Sequence, residues 1–307
     1  RLFFIKLTEV ITMKNVINYY YNMYPNQINQ TKDYYYFELD GAVFLLFKCP
    51  YSAEEIGKIY ELDLNLLANH LYVHQIIPNR EGQIITKINN ETYILLRKNY
   101  EPSTITIKDI INFSKLKSPL FSDNKDWSNM WAQKNDYLEY QTSMLGLKYP
   151  LIRESFSYYI GLAETAIEIV NSLEKTSVSL VYSHRRLNQN INFNFYNPLN
   201  IITDLSVRDA AEYFKTSFFN GKSIDEELSI YFRSVKLSTY EYFMFLARMI
   251  YPTYYFDLYE QILCANAAES ELVKFTEKAS DYENQIKKIY KYYKSFMRFQ
   301  PIDWLEN

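Results

Sequence analysis

Before residue 98 the apolar residues come in short paired runs. After residue 103 they recur at the spacing of long helices, with few glycines or prolines between them. This switch constrains the fold more than any other feature of the chain. "YYYFELDGAVFLLFKCP" (34–50) is two β-like runs around Asp40-Gly41, a pair that favours a tight hairpin turn because both positions tolerate positive φ. "GQIITKINNETYILLRK" (82–98) predicts a second hairpin, turning at Asn89-Asn90. Between them Ser52 and Glu55 have the spacing of a capping box. Ile56, Ile59, Leu62, Leu66 and Leu67 follow at helical spacing, which predicts a helix over 53–71 packed on the sheet. Helix-like patterns then occupy 104–116, 125–146, 150–174, 206–221, 238–251 and 254–297, interrupted by strand-like 178–182 and 191–196. Sheet first and helices second is the α+β pattern. The expected division is an extension over 1–13, a lobe of antiparallel sheet plus one helix over 14–98, a hinge at 99–103 and a mostly helical lobe over 104–307.

Composition excludes several classes. The net charge is −3 with both signs interspersed, so no basic stripe points to nucleic acid. The first residues, "RLFFIKLTEVITM", are too short an apolar run to span a membrane and lack a small-residue cleavage signature. Met13 reads as a more natural start, which leaves 1–12 as an upstream extension, and no other window approaches a membrane span. Cys49 and Cys264 lie far apart in apolar runs and read as buried reduced thiols, with no disulfide or metal role. His70 and His74 have the i, i+4 spacing of a helical metal pair, but the glutamate of a zinc motif is missing, and a helix end is the better reading. Thirty-one tyrosines and twenty phenylalanines exceed what one core needs. Compositional drift explains them, with surface association as the alternative.

Three strings sharpen the reading: "DWSNMWAQKNDYLEYQTSMLG" (126–146), "SFSYYIGLAETAIEIV" (155–170) and "VRDAAEYF" (207–214). Together with the closing "PIDWL" (301–305), they resemble the bacterial endospore coat-associated kinase-like proteins, the CotS/YutH group, which are similar to aminoglycoside and choline phosphotransferases. The resemblance spans roughly 14–305. It implies a two-lobed protein-kinase-like fold of the aminoglycoside phosphotransferase type, cytoplasmic synthesis and association with the spore coat.

Phosphoryl transfer needs a phosphate cradle, a lysine on the phosphates with a carboxylate to hold it, a proton acceptor and metal ligands. "NYYYNMYPNQINQTKD" (18–33), where the cradle is expected, contains no glycine. The resemblance puts the phosphate lysine at Lys48, which also reads as a solvated strand-end lysine. Glu55 and Glu61 could pair with it, although capping and solvent exposure suit them better. In "SLVYSHRRLNQNINF" (179–193) the resemblance aligns His184 with the histidine that opens the catalytic loop and Arg186 with its aspartate. Arginine stays protonated and cannot accept a proton. The metal asparagine falls on Ile191, with Asn190 adjacent, and the metal aspartate falls near Asn197, with Asp204 as a nearby carboxylate that reads as a helix cap. Asp209 matches the aspartate that holds the catalytic loop, a structural role. Arg185 and Arg186 can bind an anion or an acidic neighbour, or stand as solvated loop arginines.

These residues predict a catalytically inactive, pseudokinase-like coat component with no catalytic residues, no metal and no cofactor. Its expected partners are other coat proteins or a small anionic ligand, with no nucleic acid and no membrane. The alternative is a small-molecule phosphotransferase with a rearranged site, using ATP and Mg2+ through Lys48, Glu61 and Asp204 around the structural Asp209. A nucleotide- or sugar-phosphate-binding regulator without turnover is a third reading.

Overall fold

In the computed structural model, Asp40 and Gly41 both take positive φ, 51° and 73°, as a tight hairpin turn between right-twisted strands requires. The structure describes residues 13–49, 51–71, 73–88, 90–99, 104–121, 126–145, 148–174, 176, 178–187, 195–295 and 301–306. The turn joins β2 (Tyr34–Leu39) to β3 (Ala42–Lys48). With β1 (Asn29–Gln30), β4 (Gln75–Ile77), β5 (Thr86–Ile88) and β6 (Glu91–Arg97), they form a sheet in the order β1-β2-β3-β6-β4, with β5 also on β6. Every pairing in this sheet is antiparallel. Asn90, in the second hairpin, also takes positive φ; Asn89 lies outside the described residues.

β3 runs Ala-Val-Phe-Leu-Leu-Phe before its terminal lysine because both faces of the sheet are covered. Phe44 and Leu46 pack with Phe37, Tyr93 and Leu95 against Ile17 and Tyr21 of α1 (residues 13–21). Leu45 and Phe47 pack on the other face with Ile94, Leu96 and with Ile56 and Ile59 of α2 (Ala53–Ala68). A strand buried on both sides loses its polar alternation. The capping box forms at the start of α2: the Ser52 hydroxyl accepts from Glu55 N, and the Glu55 carboxylate accepts from Ser52 N at 2.8 Å. The helix ends at Ala68, short of residue 71. His70 follows in the left-handed region at φ 61° and is exposed, whereas His74 is buried beyond the helix end with Nδ1 accepting from Asn99 N at 3.3 Å. The two therefore do not share a helix. α1 escaped the sequence reading, although Val16, Ile17, Tyr20 and Tyr21 give it an apolar side.

The chain separates into two compact units, Arg1–Thr104 with Ile191–Ile201, and Ile105–Asn190 with Ile202–Asn307. In the first, the returning segment places Leu199 among the residues packed against α2. In the second, β7 (Lys117–Phe121), β8 (Ser179–His184) and β9 (Ile201–Asp204) form a small sheet. Around it lie α3 (Ile107–Ser114), α4 (Trp127–Leu145), α5 (Pro150–Asn171), α6 (Arg208–Phe219), α7 (Asp225–Ser234), α8 (Thr239–Ile250), α9 (Thr253–Leu263) and α10 (Ala279–Lys294). α5 packs against both α4 and α8, and α8 against α6. The strands at 117–121 and 201–204 and helix α7 are additions to the sequence reading.

The helix expected over 254–297 is broken. α9 ends at Leu263, and Ala265 adopts φ 57°. A 3-10 turn (Glu269–Leu272) and a single helical turn (Val273–Thr276) precede α10. The small and polar stretch "CANAAES" supplies no apolar period to carry the helix through. This break also corrects the reading of Cys264, which caps the end of α9 and is exposed, while Cys49 is buried.

The aromatic excess is a core. Tyr159, Tyr231, Tyr242, Tyr255, Tyr259, Tyr282 and Tyr290 are among the largest fully buried side chains. Tyr242 stacks on Tyr293 with centroids 3.4 Å apart, and Tyr159 on Tyr255 at 3.8 Å. Buried hydroxyls usually find partners: Tyr282 donates to Met249 O at 2.7 Å, and Tyr255 Oη is hydrogen-bonded to Ser155 Oγ at 2.8 Å, whereas the hydroxyls of Tyr159 and Tyr231 have no partner among the described residues. Burial raises the Tyr255 hydroxyl to about 12. Most of the tyrosine in this unit therefore supplies core volume, while Tyr137, Tyr140 and Tyr292 are exposed. The "PIDWL" segment joins this packing, with Leu305 fully buried and Tyr290 Oη donating to Glu306.

Candidate functional site: an arginine-lined pocket beside the β8 loop

β8 delivers His184 into the interior, where Asp209 in the first turn of α6 receives it. Asp209 Oδ1 accepts from Ser183 Oγ at 2.7 Å and from His184 N at 2.9 Å; Oδ2 lies 2.6 Å from His184 Nδ1. Burial alone acts to raise the Asp209 carboxyl, but the charge and donors of His184, with Ser183, outweigh it and hold the carboxyl below the usual range. Phe113 of α3 lies against the imidazole, with centroids 4.6 Å apart. The residues that open the loop are thus fixed by a buried carboxylate, because a buried charge must be satisfied.

Arg208, the neighbour of Asp209, completes the anchor. Its Nε donates to His184 O at 2.9 Å, Nη2 to Arg185 O at 3.1 Å and Nη1 to Asp204 Oδ2 at 2.8 Å. Asp204 ends β9 and is fully buried. Its other oxygen accepts from Leu205 N at 2.7 Å and from Arg248 Nη2 at 3.2 Å. It does not cap a helix: α6 begins at Arg208 after Val207, and no side chain caps it. Burial lowers the Arg248 guanidinium, an effect that Asp204 opposes. Arg248 also lies 4.3 Å from the centroid of Trp127. Neither arginine stood out in the sequence. The signals were there, in a lone charge inside "FMFLARMIYP" and in Arg208 four residues after Asp204.

These groups line a cavity of about 490 Å3 within the second unit. Arg185 and Arg186 stand on its wall with Trp127, Trp131, Phe256 and Asp257. Arg186 pairs with Asp257 at 3.7 Å, and its side chain is 56% exposed. Leu187 beside it is buried. Ile191 and Asn190 lie outside the described residues.

The remaining candidates lie in the first unit. Asn197 accepts from Leu199 N at 3.0 Å and caps the 3-10 turn Pro198–Asn200. It is a turn cap and does not line the pocket. Lys48 pairs with Glu91 of β6, which the sequence reading passed over; Tyr93 Oη donates to the same carboxylate at 2.8 Å. Glu61 is exposed, and Glu55 serves the capping box. The buried carboxylate of α2 is Asp63, unremarked in the sequence, which accepts from Ile76 N at 3.0 Å and ties the helix to β4. The link from β1 to β2 is Thr31–Asp33, where the Thr31 hydroxyl accepts from Tyr34 N at 3.1 Å. It contains no glycine. Among the described residues, no group of three His, Cys, Asp or Glu side chains is placed to hold a metal ion.

The fold is kinase-like, of the aminoglycoside phosphotransferase type. The chain belongs to the family described as "Spore coat putative kinase YutH", which matches residues 14–299. It is 22% identical over 292 residues, 84% of this chain and 85% of the relative, to the endospore coat-associated protein YutH of Bacillus subtilis (strain 168). Among solved structures it is similar to an aminoglycoside phosphotransferase from Alicyclobacillus acidocaldarius, with a TM-score of 0.62 and 11% identity over 88% of this chain and 93% of that one. It is also similar to a spectinomycin phosphotransferase in complex with ADP and spectinomycin, with a TM-score of 0.57 and 11% identity over 96% of each chain. At such identity the likeness carries the fold alone, and it bears out the α+β kinase-like architecture read from the sequence. No described helix is long and apolar enough to cross a membrane.

Proposed function

We propose that this chain is a non-catalytic, kinase-fold binding component associated with the spore coat. The observation that carries the reading is the state of Asp204. Counting along the sequence placed the metal aspartate near Asn197, but Asn197 caps a turn in the first unit. The carboxylate that ends a strand beside the loop arginines is Asp204, and we assign it that position. Both of its oxygens are occupied by guanidinium donors, from Arg208 and Arg248. Mg2+ demands close octahedral oxygen ligands. To bind here it must displace one charged donor and sit beside another, so the residues present do not fit the ion.

The second support is Arg186 at the position of the proton acceptor. A general base must be able to take a proton within hydrogen-bond reach, and a guanidinium cannot. The glycine-free link between β1 and β2 and the engagement of Lys48 by Glu91 agree with this reading. Coat association rests on the family and on the relative's description as endospore coat-associated.

Thermal denaturation with ATP or GTP, with and without Mg2+, tests the proposal, because a ligand that binds only the native state raises its melting temperature. We expect no Mg2+-dependent rise. A rise that requires both nucleotide and Mg2+, and that Asp204→Ala removes, refutes it.

A further inference from the structure

The pocket beside the β8 loop is more than a lost active site. Five cationic side chains on its wall face three carboxylates. Arg208 and Arg248 share the single carboxylate of Asp204. Arg248 is 4% exposed, yet its Nε–H has no acceptor among the described residues. A buried, charged donor left without an acceptor is costly, and with two guanidinium groups sharing Asp204 the wall carries more positive charge than its own carboxylates balance.

The rest of the wall is apolar. Trp127 and Trp131 of α4 and Phe256 of α9 face the cavity. Arg248 packs on Trp127, and Trp131 is braced by stacking on Tyr251 with centroids 4.4 Å apart. Small-molecule sites combine these features: an apolar enclosure of roughly 300–1,000 Å3 with a few converging polar groups. The volume of about 490 Å3 falls within that range. Arginine forks match the oxygens of phosphate and carboxylate.

We propose that this pocket binds a small organic oxyanion, a phosphate monoester or a carboxylate, carried on an apolar body about the size of one or two rings. The anionic group lies against Arg248 and the Arg185–Arg186 loop, and the apolar body lies against the indoles. This deepens the binding role proposed above and rests on it only for the absence of turnover. Amines are excluded by the same charge balance that attracts anions.

Calorimetric titration of the full chain in EDTA tests this with four probes: phenyl phosphate, benzoate, inorganic phosphate and benzylamine. Phenyl phosphate or benzoate should bind, and whichever is tighter identifies the anionic group. Inorganic phosphate should bind about tenfold or more weakly, since it buries no ring. Benzylamine should give no heat of binding. The Arg185→Ala/Arg186→Ala pair should weaken the organic anion by about tenfold, the size of a lost charge-assisted hydrogen bond. Asp257→Asn, which removes a competing carboxylate, should tighten it, so the test survives if the arginine variant fails to fold. Binding of benzylamine equal to that of the anions, no binding of either organic anion, or unchanged affinity in a folded arginine variant overturns the proposal. Anion binding together with ATP turnover leaves this inference standing and refutes the non-catalytic reading; the absence of both does the reverse.

Discussion

Asp204 and Asp209 are both buried, and each holds a different part of one loop. Asp209 grips its start through His184 and Ser183. Asp204 orients Arg208, which reaches the carbonyls of His184 and Arg185. Asp209→Ala should therefore cost about 3–5 kcal/mol, the range for removing one partner of a buried pair. Urea denaturation measures it, and a change below about 1 kcal/mol would contradict the anchoring role. The depressed Asp209 carboxyl gives a second expectation. Its stabilisation is complete above the unfolded carboxyl value of about 3.9 and is lost as pH falls through the lower folded value. Asp209→Asn should flatten that acid limb of the stability curve. Asp63 works with the opposite sign. Burial raises its carboxyl to about 6, partly offset by the donor Ile76 N. Its stabilisation is complete below about pH 4 and lost as pH rises through about 6. Asp63→Asn should remove this decline, visible as a smaller fall in melting temperature between pH 4.5 and about 7.5; an unchanged fall would sink the assignment. The sequence made Asp209 and Arg186 legible because each sits at a fixed offset from a recognisable string. It hid Arg248 and Asp63, whose roles depend on elements far away in the chain.

At the scale of elements, the hairpin at Asp40-Gly41 and the helix that starts at Ser52 were readable because their signals are local. α8 starts in the same way, with the Ser238 hydroxyl accepting from Glu241 N at 3.2 Å and the Glu241 carboxylate from Ser238 N at 3.0 Å. Ser52→Ala and Ser238→Ala should each cost about 1 kcal/mol, the usual value of an N-cap. Thermal melts measure this, and neutrality at both sites would show that the capping boxes contribute nothing. β4 and β9 were not readable, since strands of three and four residues carry too little periodicity to separate from loop. The break after α9 was missed because helical spacing on either side of "CANAAES" reads as continuous. We place the metal-aspartate position at Asp204 and not at Asn197, because counting along the chain assumes a fixed path, whereas residues 198–200 pack with α2 before the chain reaches Asp204.

For the whole molecule, the aromatic composition and the arginine-lined pocket belong together. The second unit invests its tyrosines in a stacked interior around α8, and its buried charges in fixing the loop after β8. A kinase fold built this way keeps its pocket while Asp204, the carboxylate that ends β9, is held by two guanidinium groups. We propose that this arrangement transfers no phosphate, and ATP consumption by the purified full chain with Mg2+, against a heat-denatured control, tests this directly. Equal rates are expected, unchanged by Arg186→Asp alone, because Asp204 would still be bound by Arg208 and Arg248. Mg2+-dependent consumption above the control, abolished by Asp204→Ala or Lys48→Ala, would contradict it.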